Sequence, residues 1–487
     1  MTDTLVPVKP VRLIINGEAV DAASGKTFTT VNPATEAPIC AVAEAGAEDV
    51  DRAVKAARAA FESGPWPKLR PAERQRILWR LGDLIVAHGD ELARLETLDN
   101  GKPIAESKNA DLPMVYGCFH YFSGWVTKLS GETVPVNPSL FTYTLREPIG
   151  VLGAITPWNF PMIMVAWKTA PALAAGNTVV LKPAFETPLT AVRIGELALE
   201  AGLPPGVLNI VPGRGTVAGE ALVQHPMVDK ISFTGSTEVG RHILRKSADT
   251  LKKLTLELGG KSPNIVFADA DPEAALRGAA SGIFYGKGEV CAAGSRLLVE
   301  KSIHAEFVAK LAERARKLVP GDPLDPKTRL GALISEKQMT SVLGYVEAGV
   351  KEGARLVAGG QRQPVNGKGW FVQATVLDGV DNRMKVAQEE IFGPVLAVIP
   401  FDDAEDAVRK ANDIPFGLAA GVWTRDVKKA HAVARALKAG TVWVNTYNLY
   451  DPAMPFGGYK SSGFGRDLGA ECLRDVTQVK SVWMNLE

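Results

Sequence analysis

Short apolar runs alternate with helical patterns in a regular order between residues 149 and 258. Strand candidates begin near Ile149, Asn177, Val207, Lys230 and Lys253. Runs such as NTVVL and KISFTG carry too few polar residues for strands with one face in water, so they favour a parallel sheet covered by helices on both faces. The pattern predicts a doubly wound α/β fold, whose ligands bind beyond the carboxyl ends of the strands.

A second series of the same kind follows Gly260. It runs through SPNIVF, a helix ending near Phe284, RLLVEK and a helix over 305–318, and it continues through PVLAVIPF, GLAAGVWT and GTVWVN. Before the first series, VRLIINGEAVD predicts a hairpin, and helical patterns cover 47–62 and 71–96. The chain is therefore predicted to hold more than one α/β unit, in line with its 487 residues and 46% apolar content.

Two segments fit neither series. The polar, β-prone stretch 127–146 interrupts the first series and is too long for a turn, and the tail VTQVKSVWMNL alternates polar and apolar residues. Both are expected to pair as strands outside their own domain. Such pairing favours a homo-oligomer over a monomer.

The charge balance and the cysteines narrow the class of protein. Lys and Arg number 55 against 54 Asp and Glu, so the chain offers no electrostatic footprint for nucleic acid or a membrane surface, and a small-molecule partner is favoured. Cys40, Cys118, Cys291 and Cys472 lie far apart, which matches neither a disulfide framework nor a CxxC metal motif. The N-terminal stretch has no apolar signal segment, and no long apolar run occurs, so we expect a cytoplasmic protein without a metal site.

Four motifs close successive strands of the first series and should meet at one edge of the sheet: ITPWNFP, LKPAFETP, FTGSTEVG and LELGG. FTGSTEVG is the best candidate for a phosphate loop, because Gly235 permits close backbone approach and a helix starting near Ser236 directs free amides at an anion. GRGTVAG at 213–219 is one residue off a dinucleotide fingerprint, and a simple turn into a helix explains it at least as well.

Cys291 stands among small residues in GKGEVCAAGSR, and Glu257 ends the LELGG strand. A thiol with an ordinary pKa of about 8.5 needs a shaped, polar site to react at neutral pH, and the small neighbours leave the sulfur accessible. The pair suggests a thiol nucleophile with a carboxylate base, contributed by different domains. Taken alone, Cys291 is more often a small buried hydrophobe, and Glu257 could be a strand end paired with Lys252.

The motifs PWNFP, LKPAxxTP, FTGSTEVG, LELGGKSP, GxxCxAGSR, EEIFGPV and PFGGYKSSGFGR occur in this order along nearly the whole chain. In this order they resemble the aldehyde dehydrogenase superfamily. The resemblance implies a Rossmann-like cofactor-binding domain over 1–126 and 147–258, a catalytic domain over 259–457, and an oligomerisation arm and tail over 127–146 and 458–487. It also implies oxidation of an aldehyde to an acid with NAD(P), in a homodimer or homotetramer.

The resemblance gives three residues catalytic roles. Cys291 would attack the aldehyde to form a thiohemiacetal and later a thioester, and Asn159 with the Cys291 amide would donate to the oxyanion. Glu257 would activate the water that hydrolyses the thioester, which favours the free acid over transfer to coenzyme A. The alternative for Asn159 is a turn residue before Pro161.

A larger set of residues is assigned to the cofactor by the same resemblance, with ordinary salt bridges as the alternative for Lys182 and Glu390. The set is Ile155, Thr156, Trp158, Lys182, Gly215, Phe233, Gly235, Ser236, Val239, Glu390 and Phe392. Many relatives carry a glutamate three residues after the lysine, whereas this chain has Phe185 followed by Glu186. Without that anion a 2′-phosphate is not repelled, so we predict NAD as the cofactor with measurable NADP use.

The matched substrate positions are aromatic or apolar: Phe160, Met164, Trp167, Tyr285, Tyr450 and Phe456. They favour an uncharged aliphatic or aromatic aldehyde. Betaine aldehyde or a similar aminoaldehyde is the alternative, since aromatic rings also hold a quaternary ammonium group, and some of the rings could simply be core. The nearby charges, Asp451 and Glu289, are anionic, which disfavours a carboxylated semialdehyde.

Two further departures from the family are Glu289, where relatives have a glutamine, and Asp467, where a glutamate is frequent. Glu289 is expected to raise the thiol pKa by repulsion and to slow alkylation of Cys291. A catalytically silent paralogue is the non-enzyme alternative. A phosphotransfer enzyme is disfavoured because GGKS lacks the upstream Walker glycine, with Thr255 in its place.

Overall fold

The computed structural model describes residues 8–487, so the first seven residues of the predicted cofactor-binding segment lie outside the described residues. The strands are β1 (Leu13–Ile15), β2 (Glu18–Val20), β3 (Thr27–Val31), β4 (Pro38–Ala43), β5 (Leu140–Pro148), β6 (Val151–Ile155), β7 (Thr178–Lys182), β8 (Leu208–Ile210), β9 (Lys230–Thr234), β10 (Lys253–Glu257), β11 (Pro263–Val266), β12 (Arg296–Glu300), β13 (Arg355–Ala358), β14 (Thr375–Asp378), β15 (Val395–Phe401), β16 (Phe416–Gly417), β17 (Ala419–Trp423), β18 (Thr441–Val444), β19 (Tyr459–Lys460), β20 (Gly463–Phe464) and β21 (Thr477–Asn485). The helices are α1 (Ala47–Glu62), α2 (Pro71–Ala87), α3 (Gly89–Asn100), α4 (Ile104–Glu106), α5 (Leu112–Ser123), α6 (Pro161–Ala174), α7 (Leu189–Glu200), α8 (Glu220–Gln224), α9 (Thr237–Ser247), α10 (Pro272–Phe284), α11 (Lys301–Lys317), α12 (Glu336–Lys351), α13 (Lys385–Gln388), α14 (Ala404–Asn412), α15 (Val427–Ala436) and α16 (Glu471–Asp475).

The first sheet has the strand order β2-β1-β8-β7-β6-β9-β10-β20. Its five central strands, β8, β7, β6, β9 and β10, run parallel to one another. Every residue of β6, β7 and β9 is buried, as expected for strands of a sheet that is covered on both faces. The βα alternation predicted between residues 149 and 258 is confirmed.

The second sheet has the order β13-β14-β15-β12-β11-β17-β18 and is parallel except for β13. The predicted second α/β series is therefore confirmed as well. One continuous core joins the two sheets, since it contains Leu152 and Leu181 of the first and Leu297 and Val398 of the second. The two sheets are therefore packed on one continuous apolar core.

The N-terminal elements agree with the sequence except at one helix boundary. The predicted hairpin is formed by β1 and β2, and Ile14 pairs antiparallel with Ile210 of β8. The single helix predicted over 71–96 is wrong, because the chain breaks at His88 and a second helix runs on to Asn100. At the break, Gly89 packs so closely on Leu112 that a side chain would collide with it.

The arm and the tail pair with each other. Strands β5 and β21 form an antiparallel ribbon in which Leu140 pairs with Asn485 and Pro148 with Thr477. Apolar side chains of this ribbon face solvent, and Trp483 and Val479 are each 60% exposed. Another part of the tail, β20, hydrogen-bonds to β10 at the edge of the first sheet. Among residues 8–487 no helix is both long and apolar enough to cross a bilayer.

Candidate active site

A cavity of about 860 Å³ opens where loops of the first sheet meet loops of the second. Cys291, Glu257 and Asn159 all line it, so the structure brings the three predicted catalytic residues together. Loops from ITPWNFP, FTGSTEVG and LELGG contribute to its wall, as the shared sheet edge predicts. The LKPAFETP loop does not line this cavity.

Cys291 lies in the connection between α10 and β12, on a loop held from two sides. Tyr447 Oη donates to the backbone oxygen of Ala292 at 2.9 Å, and the Gly294 amide donates to Gly282 O at 2.8 Å. The backbone of Gly260 passes so close to the Cys291 carbonyl that any side chain there would collide with it. The nucleophile loop therefore rests directly on the loop that follows Glu257.

The Cys291 side chain differs from the other three cysteines, because they are buried and it is partly exposed. Burial of its surroundings raises the pKa of the thiol, and the nearby Glu257 and Glu390 carboxylates raise it further. The backbone amides of Ala292 and Cys291 oppose this effect. At neutral pH the resting group is therefore a thiol, and it must give its proton to a base in order to attack.

Glu257 is the last residue of β10, and its side chain is buried in the cavity wall. Its Oε1 has no hydrogen-bond partner among residues 8–487. Burial raises its pKa well above the ordinary value, and the charge of Asp467 adds to the shift. The alternative pairing with Lys252 is not formed, because Lys252 Nζ donates to His225 O at 2.8 Å. A buried, unpaired carboxyl with a raised pKa fits a general base.

A buried ion pair stands behind Glu257. Lys168 Nζ lies 2.6 Å from Asp467 Oδ2, although the residues are 299 positions apart in the chain. Lys168 lowers the pKa of Glu257 while Asp467 raises it. The sequence analysis missed Lys168, although a single charge in the apolar helix PMIMVAWKTAPALA was a signal that it needs a buried partner.

Asn159 ends the loop between β6 and α6, and its side chain is anchored at one hydrogen. Its Nδ2 donates to the backbone oxygen of Glu289 at 2.9 Å. The second amide hydrogen is left for a ligand in the cavity. This arrangement favours the predicted oxyanion donor over a turn residue as the role of Asn159.

The structure does not support the expected effect of Glu289 on the thiol. Its carboxylate does not face Cys291: Oε2 lies 2.8 Å from Lys287 Nζ, and Oε1 accepts from the Ile334 amide at 3.1 Å. The ion pair compensates the negative charge that the sequence analysis placed beside the sulfur. Only the backbone oxygen of Glu289 takes part in the site, through Asn159.

The predicted phosphate loop begins α9. Ser236 is its N-cap and accepts from the Val239 amide at 3.3 Å, while the half-exposed Val239 side chain lies one turn further along. Gly235 lies over the ring of Phe233, which leaves no room for a side chain. Gly235 and Ser236 line the cavity, whereas Phe233 supports them from below. Free amides at the start of this helix fit the pyrophosphate of a dinucleotide.

Three other predicted cofactor residues surround the same end of the cavity. Trp158 and Phe392 meet edge to face with ring centroids 5.1 Å apart. Glu390 Oε1 accepts from the Gly260 amide at 3.0 Å, and burial raises the pKa of Glu390 to about 7. The salt-bridge alternative for Glu390 is not formed within residues 8–487, which leaves its second oxygen for a ligand such as a ribose hydroxyl.

The remaining predicted cofactor residues do not line this cavity. Ile155 ends β6, and the Thr156 amide donates to Lys182 O at 3.2 Å. Lys182 Nζ donates to the backbone oxygens of Pro183 and Gly213 at 2.6 and 3.2 Å, and burial lowers its pKa to about 8. Gly215 starts the turn that leads into α8.

The position that departs from the family has an unexpected neighbour. The ring of Phe185 stacks on Phe28 with centroids 3.9 Å apart, and the Arg214 guanidinium lies 4.5 Å above the Phe185 ring. Arg214 also forms an ion pair with Glu44 at 2.9 Å, and its side chain is 56% exposed. A cation therefore stands where relatives place an anion, near Lys182. Arg214 was not predicted from the sequence, because only the glycines of GRGTVAG match part of a dinucleotide-binding motif.

The predicted substrate positions all line the cavity. Trp167, Tyr450 and Phe456 form one aromatic cluster with centroid distances of 5.5 to 6.0 Å, and Phe160 stacks on Tyr285 at 6.1 Å. Trp167 Nε1 has no partner within the described part of the chain. No lysine or arginine lines the cavity in residues 8–487, and its charged side chains are Glu257, Glu390, Asp451 and Asp467.

Comparison with known proteins agrees with this geometry. The aldehyde dehydrogenase family model matches residues 19–482. The mitochondrial aldehyde dehydrogenase of Homo sapiens is 50% identical over 473 residues, which cover 97% of this chain and 91% of that protein.

Solved structures agree in the same way. The NAD+ complex of an aldehyde dehydrogenase from Bacillus cereus superimposes with a TM-score of 0.97 at 50% identity, covering 98% of this chain and 97% of that one. The P. syringae indole-3-acetaldehyde dehydrogenase AldA, in complex with NAD+ and IAA, has a TM-score of 0.96 at 48% identity and covers 98% and 96%. The chain belongs to the aldehyde dehydrogenase family, and it is an enzyme that oxidises aldehydes with NAD as its cofactor.

Proposed function

We propose that the reaction runs through Cys291, Asn159 and Glu257 and ends in the free carboxylic acid. The observation that carries this proposal is their meeting in one cavity, with Glu257 buried and without an ion-pair partner among residues 8–487. The thiol gives its proton to the Glu257 carboxylate, and the sulfur adds to the aldehyde carbon. The Asn159 amide and the Cys291 backbone N–H donate to the resulting oxyanion.

The second half of the reaction releases the acid. When bound, NAD supplies the acceptor for the hydride that leaves the adduct carbon. Glu257 releases the proton of the thiol to solvent and then takes a proton from water, while the hydroxide adds to the thioester carbon. The carbon–sulfur bond breaks to release the acid, and the Cys291 thiolate recovers a proton from Glu257. Gly260 and Tyr447 keep the nucleophile loop in place during both halves.

The Cys291→Ser variant tests the nucleophile. A hydroxyl is far less ionised than a thiol at neutral pH, so we expect NAD reduction to fall by more than about 1000-fold. The measurement is the absorbance of reduced nicotinamide with a good substrate. Cys40→Ser is the matched control, because Cys40 is buried on β4 away from the cavity. Parental activity in Cys291→Ser would rule out covalent catalysis.

We further propose an uncharged aromatic aldehyde as the preferred substrate class. The cluster of Trp167, Tyr450 and Phe456 offers apolar ring faces to a substrate. The P. syringae relative named for indole-3-acetaldehyde supports this choice. Betaine aldehyde is the second candidate, because the same rings can hold a cation and Asp451 at the cavity wall is anionic.

A panel of four aldehydes separates these substrates. We expect kcat/KM to be highest for phenylacetaldehyde and benzaldehyde, intermediate for propanal and lowest for betaine aldehyde. Burial of an aromatic ring against the cluster contributes about 2 kcal/mol, which corresponds to roughly 30-fold in kcat/KM over propanal. A preference for betaine aldehyde would replace the proposal by its alternative.

We propose that the enzyme also turns over NADP. The absence of an anion at Phe185 and the presence of Arg214 beside it support binding of a 2′-phosphate. We expect Arg214→Ala to lower kcat/KM for NADP by about tenfold or more, the value of a charge-assisted hydrogen bond, and to leave NAD turnover unchanged. Arg12→Ala is the control, because Arg12 is also an exposed arginine in a surface ion pair. Undetectable NADP turnover by the parent enzyme would contradict the proposal.

The remaining expectations from the sequence stay proposals. We propose the cofactor-binding, catalytic and oligomerisation segments with the boundaries given above, and a cytoplasmic compartment, which four free cysteines support. The exposed apolar side chains on the β5–β21 ribbon support a homodimer or homotetramer. Light scattering of the parent chain and of Trp483→Ser tests this, and a monomeric parent would exclude it.

A further inference from the structure

A closed ring of polar contacts surrounds the side chain of Asn159. Lys287 Nζ lies 2.8 Å from Glu289 Oε2 and donates to both the backbone oxygen and Oδ1 of Asn100 at 2.8 Å. Asn100 Nδ2 donates in turn to the Trp158 backbone oxygen at 2.7 Å. Asn159 Nδ2 completes the ring by donating to the backbone oxygen of Glu289.

The ring is closed to solvent. Asn100, Lys287 and Glu289 are each no more than 1% exposed. Lys287 donates hydrogen bonds to the two oxygens of Asn100 and forms an ion pair with Glu289 Oε2. The other carboxylate oxygen of Glu289 accepts from the Ile334 amide. Neither buried charge is left alone, which is the condition under which such a pair is tolerated.

The backbone at Lys287 is a second, independent observation. Lys287 has φ of 62° and lies between Gly286 and Gly288, which also have positive φ values. A residue with a Cβ atom is strained in this region, so a lysine is kept there at a cost. The glycines on either side supply the turn, while the lysine supplies the ammonium group that the ring requires.

We propose that Lys287 and Asn100 are positioning residues for the oxyanion donor. The ring joins the end of α3, the loop before α6 and the loop of the nucleophile, two residues before Cys291. It therefore fixes the Asn159 amide relative to the sulfur, anchoring one amide hydrogen and leaving the other for the oxyanion. This inference rests on the proposed roles of Asn159 and Cys291 and adds the residues that hold them in register.

A double-mutant cycle between Lys287→Met and Asn159→Ala tests the inference. The readout is the rate constant of the first turnover, measured as the burst of reduced nicotinamide, with thermal unfolding recorded for each variant. Asn159→Ala should slow the burst by about 100-fold, and Lys287→Met by about 10-fold or more. In the Asn159→Ala background, Lys287→Met should change the rate by less than about twofold, because the group it positions is absent. Lys252→Met is the control, since Lys252 is also a buried lysine that donates to a backbone oxygen.

Asn100→Ala serves as the second variant if Lys287→Met does not fold. It keeps the Lys287–Glu289 ion pair and the backbone acceptor of Lys287, and it removes the side-chain donor to Trp158 and the Oδ1 acceptor of Lys287. The same loss of effect in the Asn159→Ala background is expected. Equal fold-changes in both backgrounds would overturn the inference, because a residue with a general structural role acts independently of Asn159. If Asn159→Ala itself leaves the burst unchanged, the proposed reaction fails first, and the two failures are thereby distinguished.

Discussion

Glu257 and Glu289 are both buried glutamates near the nucleophile, yet their surroundings are opposite. Glu257 has no ion-pair partner of its own among residues 8–487, and Lys168 and Asp467, which shift its pKa in opposite directions, are paired with each other. Glu289 has its own lysine at 2.8 Å and an amide on its other oxygen. The comparison shows that burial alone does not make a carboxylate reactive. The carboxylate that lacks a partner is available for chemistry, and the paired one is fixed in the scaffold.

Among the variants that test this comparison, removal of the Glu257 carboxylate should have the largest effect on turnover. We expect Glu257→Gln to lower steady-state turnover by about 1000-fold, because the thioester loses its general base. Glu306→Gln is the matched control, since Glu306 is exposed and pairs with Lys310 on α11.

At high pH, where the thiol ionises without a base, the first turnover of Glu257→Gln should still give a burst of one reduced nicotinamide per active site. Turnover at the parental rate in Glu257→Gln would show that the unpaired carboxylate has no part in hydrolysis.

The Lys168–Asp467 ion pair behind Glu257 should shift the pH dependence of kcat. A base acts only when deprotonated, so activity falls as the pH drops through its pKa, and the raised pKa of Glu257 moves this fall to higher pH than for an ordinary carboxylate. Asp467→Asn removes the negative neighbour that raises the Glu257 pKa, so the acid limb of kcat should move to lower pH.

Lys168→Met is the opposite test of the same pair. It leaves the Asp467 charge beside Glu257, and the acid limb should move to higher pH. The measurement is kcat against pH for the parent and both variants. Shifts of the same sign in the two variants would contradict a direct electrostatic effect on Glu257.

Glu289→Gln should have the smallest effect on the thiol itself. Because Glu289 is paired with Lys287 and faces away from the sulfur, the rate of Cys291 alkylation by iodoacetamide should change by less than about twofold at matched pH. The sequence alone suggested that the parent would react more slowly than the variant. A variant that reacts several-fold faster would support that earlier interpretation against the structure.

The parts of the fold that could be predicted follow from local patterns. The strands around NTVVL and KISFTG could be predicted, because short, mainly apolar runs are typical of buried strands. The loops that follow parallel strands lie at the same edge of the sheet. The break at His88 was missed because both sides of it carry helical patterns. The close packing of Gly89 on Leu112 at the break is a tertiary contact, which no local pattern displays.

The site could be predicted only where a motif carried it. Cys291, Glu257 and Asn159 lie in long motifs, whereas Lys168 and Asp467 meet across 299 residues and share no local pattern. Glu289 was identified as unusual but was given the wrong neighbour, since no local rule directs its side chain to Lys287 rather than to the sulfur. Partner choice among buried charges is settled by three-dimensional packing, which a single sequence does not display.

The strand that closes the first sheet beside Glu257 has a consequence for how the enzyme matures. Leu256 and Glu257 pair with Phe464 and Gly463, and the Leu258 amide donates to Ser462 O. On the ribosome these partners emerge long after β10, so the edge next to the base stays open until they have been synthesised. A nascent chain can therefore build its nucleotide-binding sheet early, but it acquires a finished hydrolytic centre only when its last segment folds back.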